Sequence, residues 1–275
     1  MKISGRGEKT YLYLNGIGVN HKIHLRENID LLPATCSPEP ITIMEKFHSE
    51  IDIGIAAIFL RRISSQLCIT AGDSKTLAIT AWNSLWDAVL LSALFDCEAV
   101  CNFQCDKPAE EFENECEIEV TNYHLQGLTS SIKTLNDDDE NWLTQYYGTA
   151  RELLKNPAFN NAIYSLATYR WHIHPRAMLA LLWSGIEGLF NVDYEITFRL
   201  SLYIARFLYS GNEAAMTKTF SDVKRLYKKR SKAVHGSELR GEPNKDINDS
   251  VELLSKLVKQ CIITGNLPNT DNLAP

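Results

Sequence analysis

Apolar residues alternate or run in short blocks through the first half of the chain, and recur every three to four positions after residue 141. The first pattern predicts strands and the second amphipathic helices. Tyr11, Leu12, Tyr13 and Leu14 are followed by Gly16-Ile17-Gly18 and then by an alternating stretch. There Val19, Ile23 and Leu25 face one side, and Asn20, Lys22, His24 and Arg26 the other, which together predicts a β-hairpin. Asp73-Ser74 can start a long helix, in which Ile79, Trp82, Leu85, Trp86, Val89 and Leu90 form one broad apolar stripe. Cys116, Ile118 and Val120 alternate with Glu117, Glu119 and Thr121, a half-buried strand; residues 99–105 are a weaker strand, with an acidic loop between them.

From residue 141 onward the chain reads helical, with breaks at Pro157, Pro175 and residues 191–193. Asn136-Asp137-Asp138-Asp139-Glu140 reads as a linker, and residues 266–275, rich in Asn and Pro, as a flexible tail. The expected fold class is therefore α+β. A small α+β domain over residues 1–135 precedes an all-α helical bundle over residues 141–265.

Composition narrows the class. A chain of 275 residues that is 45% apolar can bury a real core. No apolar run approaches 18 residues, the stretch 88–95 suits a core, and the first residues lack the apolar run of a signal peptide. Seven cysteines, an odd number, show no disulfide framework and point to a reducing cytoplasm without membrane association. Cys97, Cys101, Cys105 and Cys116 contain no Cys-x2-Cys pair, so small buried thiols are the better account and neither metal nor cofactor is expected.

Charge divides the chain. Residues 1–140 hold 11 Lys+Arg against 22 Asp+Glu, a net of −11, whereas residues 141–275 hold 17 against 12, a net of +5. Residues 222–241 alone carry seven basic and two acidic side chains. A polyanion would be drawn to that segment, although an exposed helix needs charges for solvation in any case.

The basic segment also holds the candidate chemistry. With residues 213–230 as a helix at about 100° per residue, Phe220, Val223, Leu226 and Tyr227 share one arc and Arg230 projects into its middle. Lys224, Arg225, Lys228 and Lys229 fall on the opposite, wet side. An Arg on an apolar seam must pair with an acid or line a cleft where a ligand pairs it. His235 follows five positions later, before the helix terminator Gly236. Arg can hold charge on phosphorus and His can move protons near neutral pH, a pairing suited to metal-free phosphodiester cleavage. On a continuing helix the two lie about 140° apart, so they cooperate only if the helix bends or ends, or across a dimer.

Two further groups stand out. His172 and His174, flanked by Arg170 and Arg176, could grip a phosphate backbone or form the polar end of one helix before Pro175 opens the next. Glu187 is the sole charge between Arg176 and Asp193 and needs a cation; Arg230, Arg199 and Arg206 are the candidates.

The pattern Arg230-Ser231-x-x-Val234-His235-Gly236, closing a basic amphipathic helix, resembles the Arg-x4–6-His motif of HEPN-domain ribonucleases. Upstream, Leu181-Leu182-Trp183-Ser184-Gly185-Ile186-Glu187-Gly188-Leu189-Phe190 resembles the second helix of the Apea-like HEPN group, and Glu195-Ile196-Thr197-Phe198-Arg199-Leu200 the helix after it. The three phrases occur in family order over residues 147–265, about half the chain. The resemblance implies a HEPN-like helical homodimer that cuts RNA without metal, by attack of a ribose 2'-hydroxyl, leaving 2',3'-cyclic phosphate and 5'-hydroxyl ends. It implies Arg230 and His235 as catalytic residues, with Glu187, Ser231 and Lys232 supporting them. Lys224, Lys228, Lys229 and Arg240 would bind RNA. Such proteins often serve phage defence, abortive infection or toxin systems, with the N-terminal domain here a sensor for a regulatory partner or phage component. The alternative is a non-catalytic HEPN-like scaffold that holds RNA or a partner.

Overall fold

The structure, a computed structural model, describes residues 3–113, 115–125, 131–236 and 242–274. It has the expected α+β layout, with strands gathered in the N-terminal part and helices after them. The chain divides into two compact units, residues 1–148 and 149–275.

In unit 1, β1 (Lys9–Asn15), β3 (Ile23–Arg26), β4 (Ile29–Pro33), β5 (Ile63–Thr70), β6 (Val100–Cys105) and β7 (Ile118–Val120) form one antiparallel sheet, in the order β3-β4-β5-β1-β6-β7. The short β2 (Ile17–Gly18) pairs with β8 (Lys133–Thr134) in a second, parallel pair. The hairpin predicted from the first strand does not form. Tyr11, Leu12, Tyr13 and Leu14 are all buried because β1 is a central strand, hydrogen-bonded to β5 on one side and β6 on the other. A strand covered on both faces shows no alternation, which conceals its partners. The hairpin lies one step later, between β3 and β4, and turns through Asn28 at φ 61°. Val19, Ile23 and Leu25 are buried as expected. Gly16 has φ +81°, and a Cβ there would meet the Glu98 carbonyl oxygen at 2.0 Å, so the exit from β1 requires glycine.

Helices cover both faces of the sheet. Tyr11, Tyr13 and Phe103 join Phe47, Ile55 and Phe59 in one core under α1 (Pro40–Lys46) and α2 (Glu50–Phe59), two helices the sequence pattern did not disclose. Strand alternation sends Leu12 and Leu14 to the other face, where α3 (Ser74–Phe95) packs against β1, β5 and β6. Asp73 caps α3 as predicted, accepting from the Lys75 and Thr76 amides at 3.0 and 2.9 Å. Most of its apolar stripe is not covered, however, and Leu90 alone of the six is fully buried. Ile79, Trp82 and Trp86 are 53%, 51% and 36% exposed, while Leu77, Ala81, Ser84, Ala88, Leu91 and Ser92 are buried. A helix lies close on a sheet where its contacting residues are small, and the Ser84 and Ser92 hydroxyls are satisfied by the Thr80 and Ala88 carbonyls. Among the described residues α3 alone is long and apolar enough to cross a membrane, yet 56% of its most apolar window is buried within the protein.

The predicted linker is the first turn of α4 (Asp137–Leu153). Asn136 accepts from the Asp139 amide at 2.8 Å, and acids in a first helical turn complement the exposed amides there. Glu140 is buried, accepts from the Asn20 amide at 2.6 Å and meets His21 Nδ1 at 3.0 Å. Asp87, fully buried in α3, accepts from Tyr147 Oη at 2.5 Å and from Arg26 Nη2 at 3.0 Å.

Unit 2 is built from α5 (Pro157–Thr168), α6 (Pro175–Phe190), α7 (Ile196–Tyr209), α8 (Glu213–Val234), α9 (Pro243–Thr264) and the short α10 (Thr270–Leu273). The breaks at Pro157 and Pro175 are helix starts, as their fixed φ favours. Helix α6 is central and packs on α5, α8 and α9. At Gly185 an added Cβ would stand 3.0 Å from Leu254, 3.1 Å from Ser165 and 3.2 Å from Ala162, so three helices meet too closely there for a side chain. The tail predicted to be flexible instead carries α10 against α7, with Arg206 Nη1 donating to the Leu273 carbonyl at 2.6 Å.

Candidate functional site

Helix α8 starts under Asn212, whose side chain accepts from the Ala215 amide at 3.1 Å, and stays helical through Val234. Val223 and Leu226 are buried, and the Tyr227 ring meets Trp183 of α6 edge-on with centroids 5.5 Å apart. Trp183 Nε1 donates to Ser250 Oγ of α9 at 3.1 Å, which fixes the indole. The seam read from the sequence is thus the one that packs.

One turn beyond Tyr227, Arg230 reaches Glu187 of α6. Its Nη2 donates to Oε2 at 2.9 Å, and Nε stands 2.8 Å from Oε1, close but poorly aligned for a hydrogen bond. The two side chains are 21% and 26% exposed, so the pair is mostly desolvated with one edge open. Burial pushes the Glu187 carboxyl above its ordinary range, and the Arg230 charge opposes that rise. Burial, aided by Glu187, likewise raises the Tyr227 phenol, whose ring lies 5.5 Å from the guanidinium. The other two candidate partners of Glu187 are engaged elsewhere. Arg199 meets Glu195 at 3.2 Å and Tyr203 Oη at 3.0 Å, and Arg206 serves the tail.

His235 ends the helix. Its amide donates to the Ser231 carbonyl at 3.0 Å and its side chain is exposed. Because α8 stays helical through Val234, helical geometry carries the imidazole about 140° around the axis from Arg230. Within one chain the guanidinium faces α6 and the imidazole faces solvent.

The basic residues divide. Lys228 and Lys232 are exposed, Ser231 is part-buried, and Lys224 Nζ lies 5.8 Å from the Phe220 ring. Lys229 is instead paired with Asp246 of α9 at 3.5 Å, and Arg225 with Asp246 and Asp249 at 3.3 and 2.8 Å. The side read as fully wet is therefore partly covered by α9; the helical angle was right, but two acids on a later helix take up two of the four cations. Arg240 lies outside the described residues. A cleft of about 460 Å³ between α7, α8 and α9, lined by Tyr209, Lys218, Asp222, Arg225, Lys245 and Lys256 among others, includes neither Arg230 nor His235.

Arg176 joins the site from a place the sequence left ambiguous. Its Nη1 donates to the Lys232 and Ala233 carbonyls at 3.2 and 3.0 Å, and Nη2 reaches the Gly236 carbonyl at 3.5 Å. His174 caps α6, accepting from the Arg176 amide at 3.3 Å, so this cluster is the polar start of a helix that also clamps the end of α8.

Cys97, Cys101, Cys105 and Cys116 are buried thiols outside any disulfide and form no ligand group; His21, Asp137 and Glu140 in unit 1 are the only trio of potential ligands within 4.8 Å among the described residues. Glu140 is already committed there to Asn20 and His21. No family model, curated protein or solved structure matches this chain, so the chemistry rests on the geometry of these residues.

Proposed function

We propose that this chain is a metal-independent endoribonuclease of the HEPN type, active as a homodimer. The observation that carries the reading is the Glu187-held Arg230 on the packed seam of the same helix that ends in an exposed His235. A guanidinium has five N–H donors, and Glu187 faces only the Nε and Nη2 edge. Nη1 and the second Nη2 hydrogen remain for the non-bridging oxygens of a phosphodiester, in a setting dry enough to strengthen both bonds. Glu187 orients the fork and performs no proton transfer.

His235 serves as general base toward the 2'-hydroxyl or general acid toward the leaving 5'-oxygen. Because it lies about 140° from Arg230 on an unbroken helix, the couple is completed by a second copy, whose imidazole approaches this guanidinium. Lys224, Lys228 and Lys232 attract the flanking phosphates, and affinity for RNA falls as salt rises. Seven buried cysteines, none in a disulfide, suit a reducing cytoplasm. A role in phage defence, with unit 1 as the sensing part, is the biological setting we propose.

The competing reading, a scaffold that binds RNA or a partner without cutting, draws on the Glu187–Arg230 pair itself, since an ion pair on a helix seam also serves packing alone. Incubation of total RNA with purified protein in EDTA, followed by end-group analysis, separates the two. Wild type is expected to leave cyclic phosphate ends, with His235→Ala reduced by about 10²–10⁴-fold and still binding RNA. Arg230→Lys should also fail, because an ammonium cannot reproduce the fork. No cutting by wild type, or undiminished cutting by His235→Ala, sinks the nuclease reading.

A further inference from the structure

The outward face of α3 is a feature of unit 1 that the nuclease reading does not use. From Thr76 to Phe95 the helix carries a single charged residue, Asp87, and that one is buried and bonded to Arg26 and Tyr147. Ile79, Trp82 and Trp86 stand exposed and Val89 part-exposed. Their spacing of three, four and three is that of a helix seam that packs on another helix. Two half-exposed tryptophans in one uncharged stripe mark an interaction surface rather than scattered surface apolarity.

From this stripe we infer that α3 is a homotypic docking site, pairing antiparallel with α3 of a second copy. Charge selects the occupant. Residues 1–140 carry a net of −11, so two copies repel over most of this unit and can meet only where the surface is neutral. The stripe is that surface. In antiparallel register about its midpoint, Trp82 lies opposite Trp86 of the partner subunit and Ile79 opposite Val89 of the partner subunit. Lys75 then falls about three residues, roughly 4.5 Å along the axis, from Asp96 of the partner subunit. Lys75 and Asp96 are both exposed, so each end of the pairing gains opposite charges. Asp73 is engaged by its own helix amides. Pairing α3 with itself is isologous and closes at two copies, whereas docking it on the exposed Ile41, Met44 and Ile51 of another copy would propagate. This contact lies in unit 1 and stands apart from the nuclease reading of unit 2.

Sedimentation of the full chain tests it. Wild type should sediment as a species that Trp82→Glu/Trp86→Glu reduces to half its mass, with helical content unchanged. Raising salt should strengthen wild-type association, because screening relieves the acidic repulsion. If the double variant misfolds, disulfide trapping in the otherwise native chain decides. Asn83→Cys, near the midpoint, should cross-link to itself under mild oxidation, and Ile79→Cys, far from it, should not. The inference is overturned if wild type is monomeric, including a monomer that floats with neutral phosphatidylcholine vesicles. It is equally overturned if Ile79→Cys cross-links in place of Asn83→Cys, if assemblies of more than four copies form, or if the folded double variant keeps its full mass. That last result would leave a dimer through unit 2 intact.

Discussion

Helices α3 and α8 are both 22 residues long and lie on the surfaces of their units, yet they bury opposite kinds of face. Helix α3 rests on a sheet through alanines, serines and leucines and turns its tryptophans outward. Helix α8 rests on other helices through a narrow seam of Val223, Leu226 and Ala233, and ties its flanks with ion pairs to Glu187, Asp246 and Asp249. The contrast shows that the partner's shape selects the buried face. A flat sheet rewards close approach by small residues, whereas the grooves of neighbouring helices accept larger ones.

Mutations can break this contrast in order of effect. Leu226→Ala should cost about 2–5 kcal/mol in urea unfolding, because a filled seam leaves a cavity. Ala88→Leu should cost about 1–3 kcal/mol by forcing α3 off the sheet. A neutral outcome there would mean that the inward face is not closely packed. Trp82→Gln, despite removing the largest side chain of the three, should change fold stability by no more than about 0.5 kcal/mol in dilute sample. A loss comparable with Leu226→Ala would show that α3 faces the other way.

Acid should separate the helices by a smaller margin. Burial raises the Asp249 carboxyl, but hydrogen bonds from Arg225 and Lys245 outweigh that and hold it below its ordinary value. A depressed carboxyl adds stability above its unfolded pKa, near 3.9, and that stability is lost as pH falls through the folded value. Asp249→Asn should therefore flatten the acid loss of unit 2 by well under about 1 kcal/mol, as befits exposed pairs. Glu187 has the opposite sign. Its raised pKa favours folding below the unfolded value and withdraws that support as pH rises through the folded one. The outward stripe of α3 contains no titratable group, so pH reaches it only through the charged groups around it.

Legibility followed the same division. The seam of α8, with Arg230 inside it and a carboxylate needed beside it, could be read from angular spacing because helix-on-helix packing honours the apolar arc. The α3 stripe has an equally clear arc, yet its tryptophans lie outward, since amphipathicity does not say which surface the protein covers. Central strand β1 concealed its neighbours for want of alternation. The acids of residues 137–140 looked like a linker because solvated acids and helix-capping acids share a composition. Two acids of α9 that engage Arg225 and Lys229 could have been suspected from Asp246 and Asp249, three apart in an acid-poor half. The contacts of Arg176 left no trace, because its acceptors are backbone carbonyls, which every residue has.

Those carbonyls bear on what can approach the end of α8. The final turn of a helix presents unspent oxygens and the negative pole of the peptide dipoles, a place that turns anions away. Arg176 spends its cation on two of them, those of Lys232 and Ala233, and on the Gly236 carbonyl just beyond. The platform beside His235 is thereby discharged by a side chain that never needs to touch a visitor, and a polyanion can draw near a terminus that would otherwise rebuff it.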